Sequence, residues 1–244
     1  MIAIGASDAG KRRKENQDSF YIDVSHSQGQ AICVVCDGMG GARAGNVASD
    51  MAIQLFTAEL KKRQKPGMNA AYMQAIMHDA VMAANALTYE KSLESRQFAG
   101  MGTTIVAACV DGSDVVVMNV GDSRAYKIAR QEIRRITNDH SVAEELMRRG
   151  ELTREQAKDY PAKNYITRAV GTEPEVIPEF YVETLEPDEY LLLCSDGLSN
   201  LVEDQEILFE VYQNKEISTC CDRLIALANA RGGPDNITVI LLKR

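Results

Sequence analysis

Residues Thr103–Thr137 read "TTIVAACVDGSDVVVMNVGDSRAYKIARQEIRRIT". Four β-rich stretches lie here almost end to end: Thr103–Val110, Asp114–Val120, Arg124–Ala129 and Glu132–Thr137. The first turn, "VDGSD" at 110–114, carries an Asp-Gly pair, which suits a tight hairpin. "IARQEI" at 128–133 reads as another tight reversal. Neighbouring strands joined by so few residues can pair only antiparallel, because a parallel pair needs a crossover of a dozen residues or more.

Working outward, further strands are expected at Ile2–Ser7, Ser19–Val24, Gln30–Cys36, Ile177–Thr184, Glu189–Cys194 and Ile237–Lys243. Helical periodicity appears in three places. From Asn46 to Lys62 it puts Val47, Met51, Leu55 and Ala58 on one face. From Asn69 to Tyr89 it aligns Met73, Ile76, Met77, Ala80, Val81, Ala84 and Leu87. From Ser218 to Ala230 it aligns Cys220, Cys221, Leu224, Ile225, Leu227 and Ala228. A shorter helix is expected at Asp204–Tyr212. Two helices thus precede the Thr103 strand and two precede the last strand, without strict βαβ alternation. The predicted class is α+β: two packed antiparallel sheets flanked by helices, an α-β-β-α sandwich. No Pro-, Gly- or Ser-rich linker interrupts the chain, so residues 1–244 are expected to form a single domain. The charged, helix-patterned stretch 141–165 is expected to be a small flap subdomain.

The 244 residues are 45% hydrophobic, enough to bury a core without disulfide or metal staples. With 27 Lys+Arg against 35 Asp+Glu the formal net charge is −8, which disfavours nucleic acid and anionic membranes as partners. No signal peptide or spanning apolar run is visible, so a cytoplasmic protein is expected. Cys33 and Cys36 resemble a C-x-x-C redox pair. An offset of three along a strand sends the two thiols to opposite faces, so all six cysteines read as reduced core residues.

Four aspartates stand where apolar strands end or begin: Asp37 after "ICVVC", Asp122 after "VVVMNVG", Asp196 after "YLLLCS" and Asp235 before "NITVILL". Glycine accompanies each. Carboxylates gathered at one rim repel one another unless a cation lies between them, and all-oxygen sets suit Mg²⁺ or Mn²⁺. Asp-Gly is also a common turn pair, and Asp111-Gly112 reads as that alone. "KRRKENQD" adds Lys11, Arg12, Arg13 and Lys14 near Asp18, either a solvated turn or an anion clamp.

In order, "RRKENQD", "VVCDGMGG", "GMGTT", "VGDSRAY", "TNDHS", "ITRAVG", "CSDG" and "GGPDNITV" resemble the bacterial branch of the metal-dependent protein phosphatases, the type 2C serine/threonine phosphatases. The resemblance covers about Ser7 to Leu242. It implies hydrolysis of phosphoserine and phosphothreonine in proteins by a metal-activated water, with two core Mn²⁺ or Mg²⁺ ions and a weaker third. Asp37 resembles the carboxylate that bridges both core ions, and Gly38 the residue whose carbonyl binds one of them. Asp196 and Asp235 resemble the ligands of the other. Asp122 resembles the ligand of the third ion, shared with Asp196. Arg13 matches the phosphate-binding arginine, Asp18 the residue that orients water, and Asn236 a supporting residue behind the ligands. The implied partners are phosphorylated proteins, a serine/threonine kinase and its substrates, and the implied state is a monomer.

Gln17 and Met39 depart from many members, which have glutamate and histidine there. Methionine cannot donate a proton, so a water on a metal is the preferred acid, with His140 weighed as a direct one. A catalytically inactive metal-binding relative is the alternative function. Cysteine-based phosphatases are excluded because no Cys-x5-Arg loop occurs. "GMGGARAG" is no nucleotide loop: Arg43 stands where a third glycine belongs, and no Lys-Ser or Lys-Thr follows.

Overall fold

The computed structural model describes residues 1–244 except 28, 42–43, 131, 159, 163–164 and 214–216, together with the side chains of 158 and 213. In chain order its strands are β1 (Ile2–Asp8), β2 (Asp18–Ser25), β3 (Gln30–Met39), β4 (Gly102–Thr103), β5 (Ile105–Asp111), β6 (Asp114–Val120), β7 (Arg124–Ala129), β8 (Glu132–Arg135), β9 (Glu179–Thr184), β10 (Tyr190–Cys194) and β11 (Ile237–Lys243). Its α-helices are α1 (Ala44–Arg63), α2 (Ala70–Leu93), α3 (Val142–Arg148), α4 (Arg154–Lys158), α5 (Asp196–Ser199), α6 (Asp204–Gln213) and α7 (Cys220–Ala230).

Period-two alternation along β3 sets the layers. Ala31, Cys33 and Val35 face one way and meet Val106, Val115, Leu191, Leu193, Ile240 and Leu242, which fill the space between the two sheets. Ile32, Val34 and Cys36 face the other way, against Phe56 and Leu60 of α1 and Met73, Ile76 and Met77 of α2. The far sheet repeats the device, with Leu192, Cys194, Val239 and Leu241 packing on Leu224 and Ala228 of α7. Cys33 and Cys36 accordingly lie in different layers, as the strand spacing requires. The sheets are β1-β11-β10-β7-β8 and β2-β3-β5-β6-β9, with β4 on β3. Every pairing is antiparallel.

The strands of Thr103–Thr137 are shared between the sheets: β5 pairs with β6 in one, and β7 pairs with β8 in the other. The chain crosses between the sheets at Gly121–Ser123. Two expectations need correction. The expected strand Thr103–Val110 is broken at Thr104, which leaves the ladder to bond the Asp37 backbone. The face expected for α1 is also misplaced. Ala48, Ala52, Ile53, Phe56 and Leu60 are buried, whereas Ala58 is exposed and Val47, Met51 and Leu55 are partly buried. Val47 and Met51 pack sideways on Met101 and Phe98. Apolar residues occupy more than half of this helix's circumference, and the burial arc is set by the sheet beneath it.

The reversal expected at 128–133 includes Gln131, outside the described residues; Ile128 pairs with Ile133 on either side of it. The stretch expected as a flap holds α3 and α4, and Ser141 caps α3 by accepting a hydrogen bond from Glu144 N. Its base is closed by the Ser141–Ile166 bridge; residues 159 and 163–164 lie outside the described residues. Asp111 serves the fold, as its turn reading implied: its Oδ2 accepts from Gln30 Nε2 and Met68 N, both at 2.8 Å. No described helix is long and apolar enough to cross a membrane.

Candidate metal centre and active site

The strand registers bring five aspartates to one end of the sandwich. Asp18 opens β2 and stands opposite Asp37 near the end of β3. Asp122 lies in the crossing between β6 and β7, Asp196 follows β10, and Asp235 precedes β11. Asp196 is not simply a strand tip: it is the first residue of the one-turn helix α5. Arg13 arrives on the exposed loop between β1 and β2, and its Nη2 donates to Asp235 Oδ2 at 2.7 Å.

Most of the segments that carry these aspartates are held from behind. The Asp37 amide donates to Thr104 Oγ1 at 3.0 Å, and the Asp37 carbonyl accepts from Thr104 N and Thr103 Oγ1, both at 2.9 Å. Gly38 stands where no side chain fits, since a Cβ would strike the carbonyl oxygens of Gly45 and Gln17. Asp18 Oδ2 accepts from Ser195 Oγ and Thr238 Oγ1, both at 2.7 Å. Asn200 Nδ2 donates to Asp196 Oδ2 at 2.9 Å. Arg124 forks onto Asp139 through Nε at 2.9 Å and Nη2 at 2.6 Å, which ties the Asp122 turn to segment 137–140.

Asn236 is buried at the start of the segment leading into β11. Its Oδ1 accepts from Gln17 N at 2.9 Å, and its Nδ2 donates to the carbonyls of Ala9 at 2.9 Å and Glu15 at 3.0 Å. It thereby clasps the loop that bears Arg13. Gln17 contributes backbone here: its carbonyl accepts from Gly38 N at 3.1 Å and Ser49 Oγ at 2.7 Å.

Burial and mutual repulsion raise the proton affinity of the group. Asp37 is driven well above the ordinary carboxylate range by burial first, then by Asp18, Asp196, Asp122 and Asp235. Asp122 is pushed up to about 8 by burial, then by Asp196 and Asp139. Asp196 rises to about 6 through burial and then Asp235. Asp18 rises to about 6 through burial, with Asp196 and Asp235 adding to it while the Thr238 and Ser195 bonds oppose it.

This arrangement fits hard cations. Asp18 Oδ1 and Asp196 Oδ1 are buried without a hydrogen-bond partner, a costly state for a carboxylate oxygen unless a cation or an ordered water meets it. Among the described residues no three Asp, Glu, His or Cys side chains close on one point as a finished cage. Arg13 occupies Asp235 and Asn200 occupies Asp196. Ions of the magnesium type keep several waters and need few carboxylates each. The donor set is entirely oxygen.

His140 does not stand as an acid. Its side chain is 3% exposed, Nε2 lies 3.5 Å from Glu179 Oε1, and Nδ1 accepts from Gly121 N at 3.1 Å. Burial first, then Arg168, holds its pKa below the usual value. His26 is exposed, and half of the His78 side chain is exposed. Thr103, Thr104, Ser123, Ser195 and Thr238 were missed in the sequence. Thr104 Oγ1 and Ser123 Oγ lie 2.8 Å apart behind Asp37 and Asp122. The only signal for them was their position in or beside the "GTT", "GDS", "CSDG" and "PDNIT" stretches.

The family profile described as protein phosphatase 2C matches residues 6–226. The chain belongs to the protein phosphatase 2C family. By that membership it is a serine/threonine protein phosphatase. A serine/threonine phosphatase stp of Listeria monocytogenes is 38% identical over 244 residues, covering 100% of this chain and 96% of that protein. The phosphatase PhpP of Streptococcus pneumoniae is 34% identical over 236 residues, 97% of this chain and 94% of that one. Among solved structures, the Streptococcus agalactiae serine/threonine phosphatase superposes with a TM-score of 0.91 at 35% identity, covering 98% of each chain. The catalytic domain of the phosphatase PstP, solved with two manganese ions, superposes with a TM-score of 0.84 at 34% identity, over 98% of this chain and 96% of that one.

Proposed function

We propose that this phosphatase hydrolyses phosphoserine and phosphothreonine esters of cytoplasmic proteins and opposes a bacterial serine/threonine kinase. Two Mn²⁺ or Mg²⁺ ions would be held by Asp37, the Gly38 carbonyl, Asp196 and Asp235, and a weaker third by Asp122 with Asp196. When bound, such ions supply a water of low pKa and neutralise charge on the phosphoryl oxygens.

The residues divide the remaining work. Arg13 reaches the rim on an exposed loop and takes the substrate phosphate in a bidentate fork. Its present partner Asp235 is a carboxylate that the ions would claim, so the guanidinium is released for phosphate as that ligand is used. Asp18 is fixed through Oδ2 by Ser195 and Thr238, which leaves Oδ1 as the acceptor that orients the attacking water. Attack in line with the ester displaces the serine or threonine oxygen, and Arg13 offsets charge on the equatorial oxygens. Met39 offers no proton and both His140 nitrogens are engaged, so the leaving oxygen takes its proton from water. The observation that carries this reading is the convergence of buried and partly buried carboxylates from separate strand ends, with orphaned oxygens on Asp18 and Asp196.

The test is phosphate release from a phosphothreonine peptide with Mn²⁺, with Mg²⁺ and with EDTA, beside Asp37→Ala. Release that needs metal and falls by orders of magnitude in the folded variant supports the reading. Release that survives Asp37→Ala removes the bridging carboxylate from it. No release from folded protein under any metal favours a binding module.

A further inference from the structure

The turn that carries Asp122 has few means of holding itself in place. Gly121 has φ +112°, a conformation that side chains rarely adopt, and a Cβ there would strike Thr104. The turn is therefore fixed from outside. Thr104 holds Ser123, and Asp139 holds Arg124. At the residue next to Asp122 the partner is His140. The Gly121 amide donates to His140 Nδ1 at 3.1 Å, and the His140 amide donates back to the Gly121 carbonyl at 2.9 Å. Asn119 Nδ2 adds a bond to the same carbonyl at 3.1 Å. The Gly121 amide has no other described acceptor.

Because Nδ1 accepts, the ring proton sits on Nε2, which lies 3.5 Å from Glu179 Oε1 and 3.4 Å from Arg168 Nη1. Arg168 is itself held by the Ile177 carbonyl at 3.3 Å and Glu179 at 3.4 Å. With its proton on Nε2 the ring faces Glu179 as acceptor, and Arg168, a donor itself, acts by holding Glu179.

We infer that His140 is a positioning residue: its neutral Nδ1 anchors the Gly121 amide and so sets where the Asp122 carboxylate stands. This rests on the reading of Asp122 as a ligand of the weaker ion. The same residue closes the base of the 141–165 excursion, because its carbonyl accepts from Thr167 N at 2.7 Å.

Two amides separate this role from mere bulk. Asparagine places its oxygen where Nδ1 was, and glutamine places its oxygen near Nε2. Gly121 amide exchange is followed by NMR in the metal-free His140→Asn, His140→Gln and His140→Leu variants, and Mn²⁺ binding is titrated in each. His140→Asn is expected to keep Gly121 protection and weak-ion affinity close to wild type. His140→Gln and His140→Leu lose the buried hydrogen bond, which corresponds to about ten-fold faster exchange and about ten-fold weaker binding of the third ion. The two tighter ions are unchanged, and in an Asp122→Asn background the His140 substitutions have no further effect on Mn²⁺ binding. Equal damage in His140→Asn and His140→Gln overturns the inference, and that comparison stands even if His140→Leu fails to fold. A wild type with no weaker ion that Asp122→Asn removes overturns the ligand assignment of Asp122 itself. A weaker ion lost in Asp122→Asn but untouched in His140→Gln overturns the positioning role alone.

Discussion

Asn236→Ala removes a side chain that touches no substrate in the proposed mechanism, yet it should damage both stability and catalysis. Three hydrogen bonds go: one acceptor for Gln17 N and two donors, for Ala9 O and Glu15 O. At about 1 kcal/mol net for each, the loss is about 3 kcal/mol. For a chain of this size that lowers the melting temperature by about 6–12 °C. The bonds hold the loop 9–17 against the start of β11, so Arg13 loses its placement and the KM for a phosphopeptide rises more than kcat falls. Asn236→Asp sharpens the test. It is nearly isosteric and keeps the acceptor for Gln17, but it turns a carboxylate oxygen toward two carbonyls. It should therefore melt below the alanine variant despite its better fit. Thermal melting and initial-rate kinetics on the three proteins decide the matter. An Asn236→Ala protein melting within 2 °C of wild type (about the size of a loss below 1 kcal/mol), or an aspartate variant sturdier than the alanine one, would refute the reasoning.

Two more predictions follow from charge. Arg124→Met strands Asp139, whose side chain is 9% exposed, beside a neighbour that answers it less closely, Arg135 at 3.6 Å. The expected loss is about 3–5 kcal/mol by denaturant unfolding; adding Asp139→Leu should recover much of it, and a double variant no better than the single one would argue against a stranded charge. The metal-free protein should gain stability as pH falls from about 8 toward 5. Asp122 at about 8, and Asp18 and Asp196 at about 6, all lie above their unfolded value of 3.8, so between those limits the folded chain binds more protons than the unfolded one. Their penalty is full above the folded pKa and fades toward the unfolded one. Urea midpoints at several pH values test this, and saturating Mn²⁺ should flatten the trend by supplying the positive charge that protons otherwise provide.

The reach of the sequence stops where partners become distant along the chain. Asp37, Asp122, Asp196 and Asp235 were legible because each sits beside glycine at the edge of an apolar run. Asp18 was legible only through resemblance, since its holders, Ser195 and Thr238, lie 177 and 220 residues away. A four-residue helix such as α5 leaves no periodic trace, so Asp196 read as a strand tip. In α1 the small residues Ala48 and Ala52 mark the true contact face, but periodicity weights the larger Val47 and Met51 and lands on the neighbouring arc. The short connection Gly121–Ser123 carried no sign that the chain changes sheets there. Sheet membership depends on which strands β3 and β11 recruit, and local pattern carries no information on that.

The pairing of β1 with β11 has a consequence for where this enzyme accepts added chain. Asp8 stands across from Ile237 at the catalytic rim, and Ile2 stands across from Lys243 at the other end of the same two strands. Seven residues of strand put about 20 Å between the two ends. Ile2 and Lys243 therefore stand together at the pole opposite the carboxylate rim. A reporter, an affinity handle or a neighbouring protein fused at either end trails behind the catalytic mouth, so one graft site serves as well as the other. The two ends could also be sewn together by a short linker and the chain reopened in a surface loop, with the order of strands around the carboxylates unchanged.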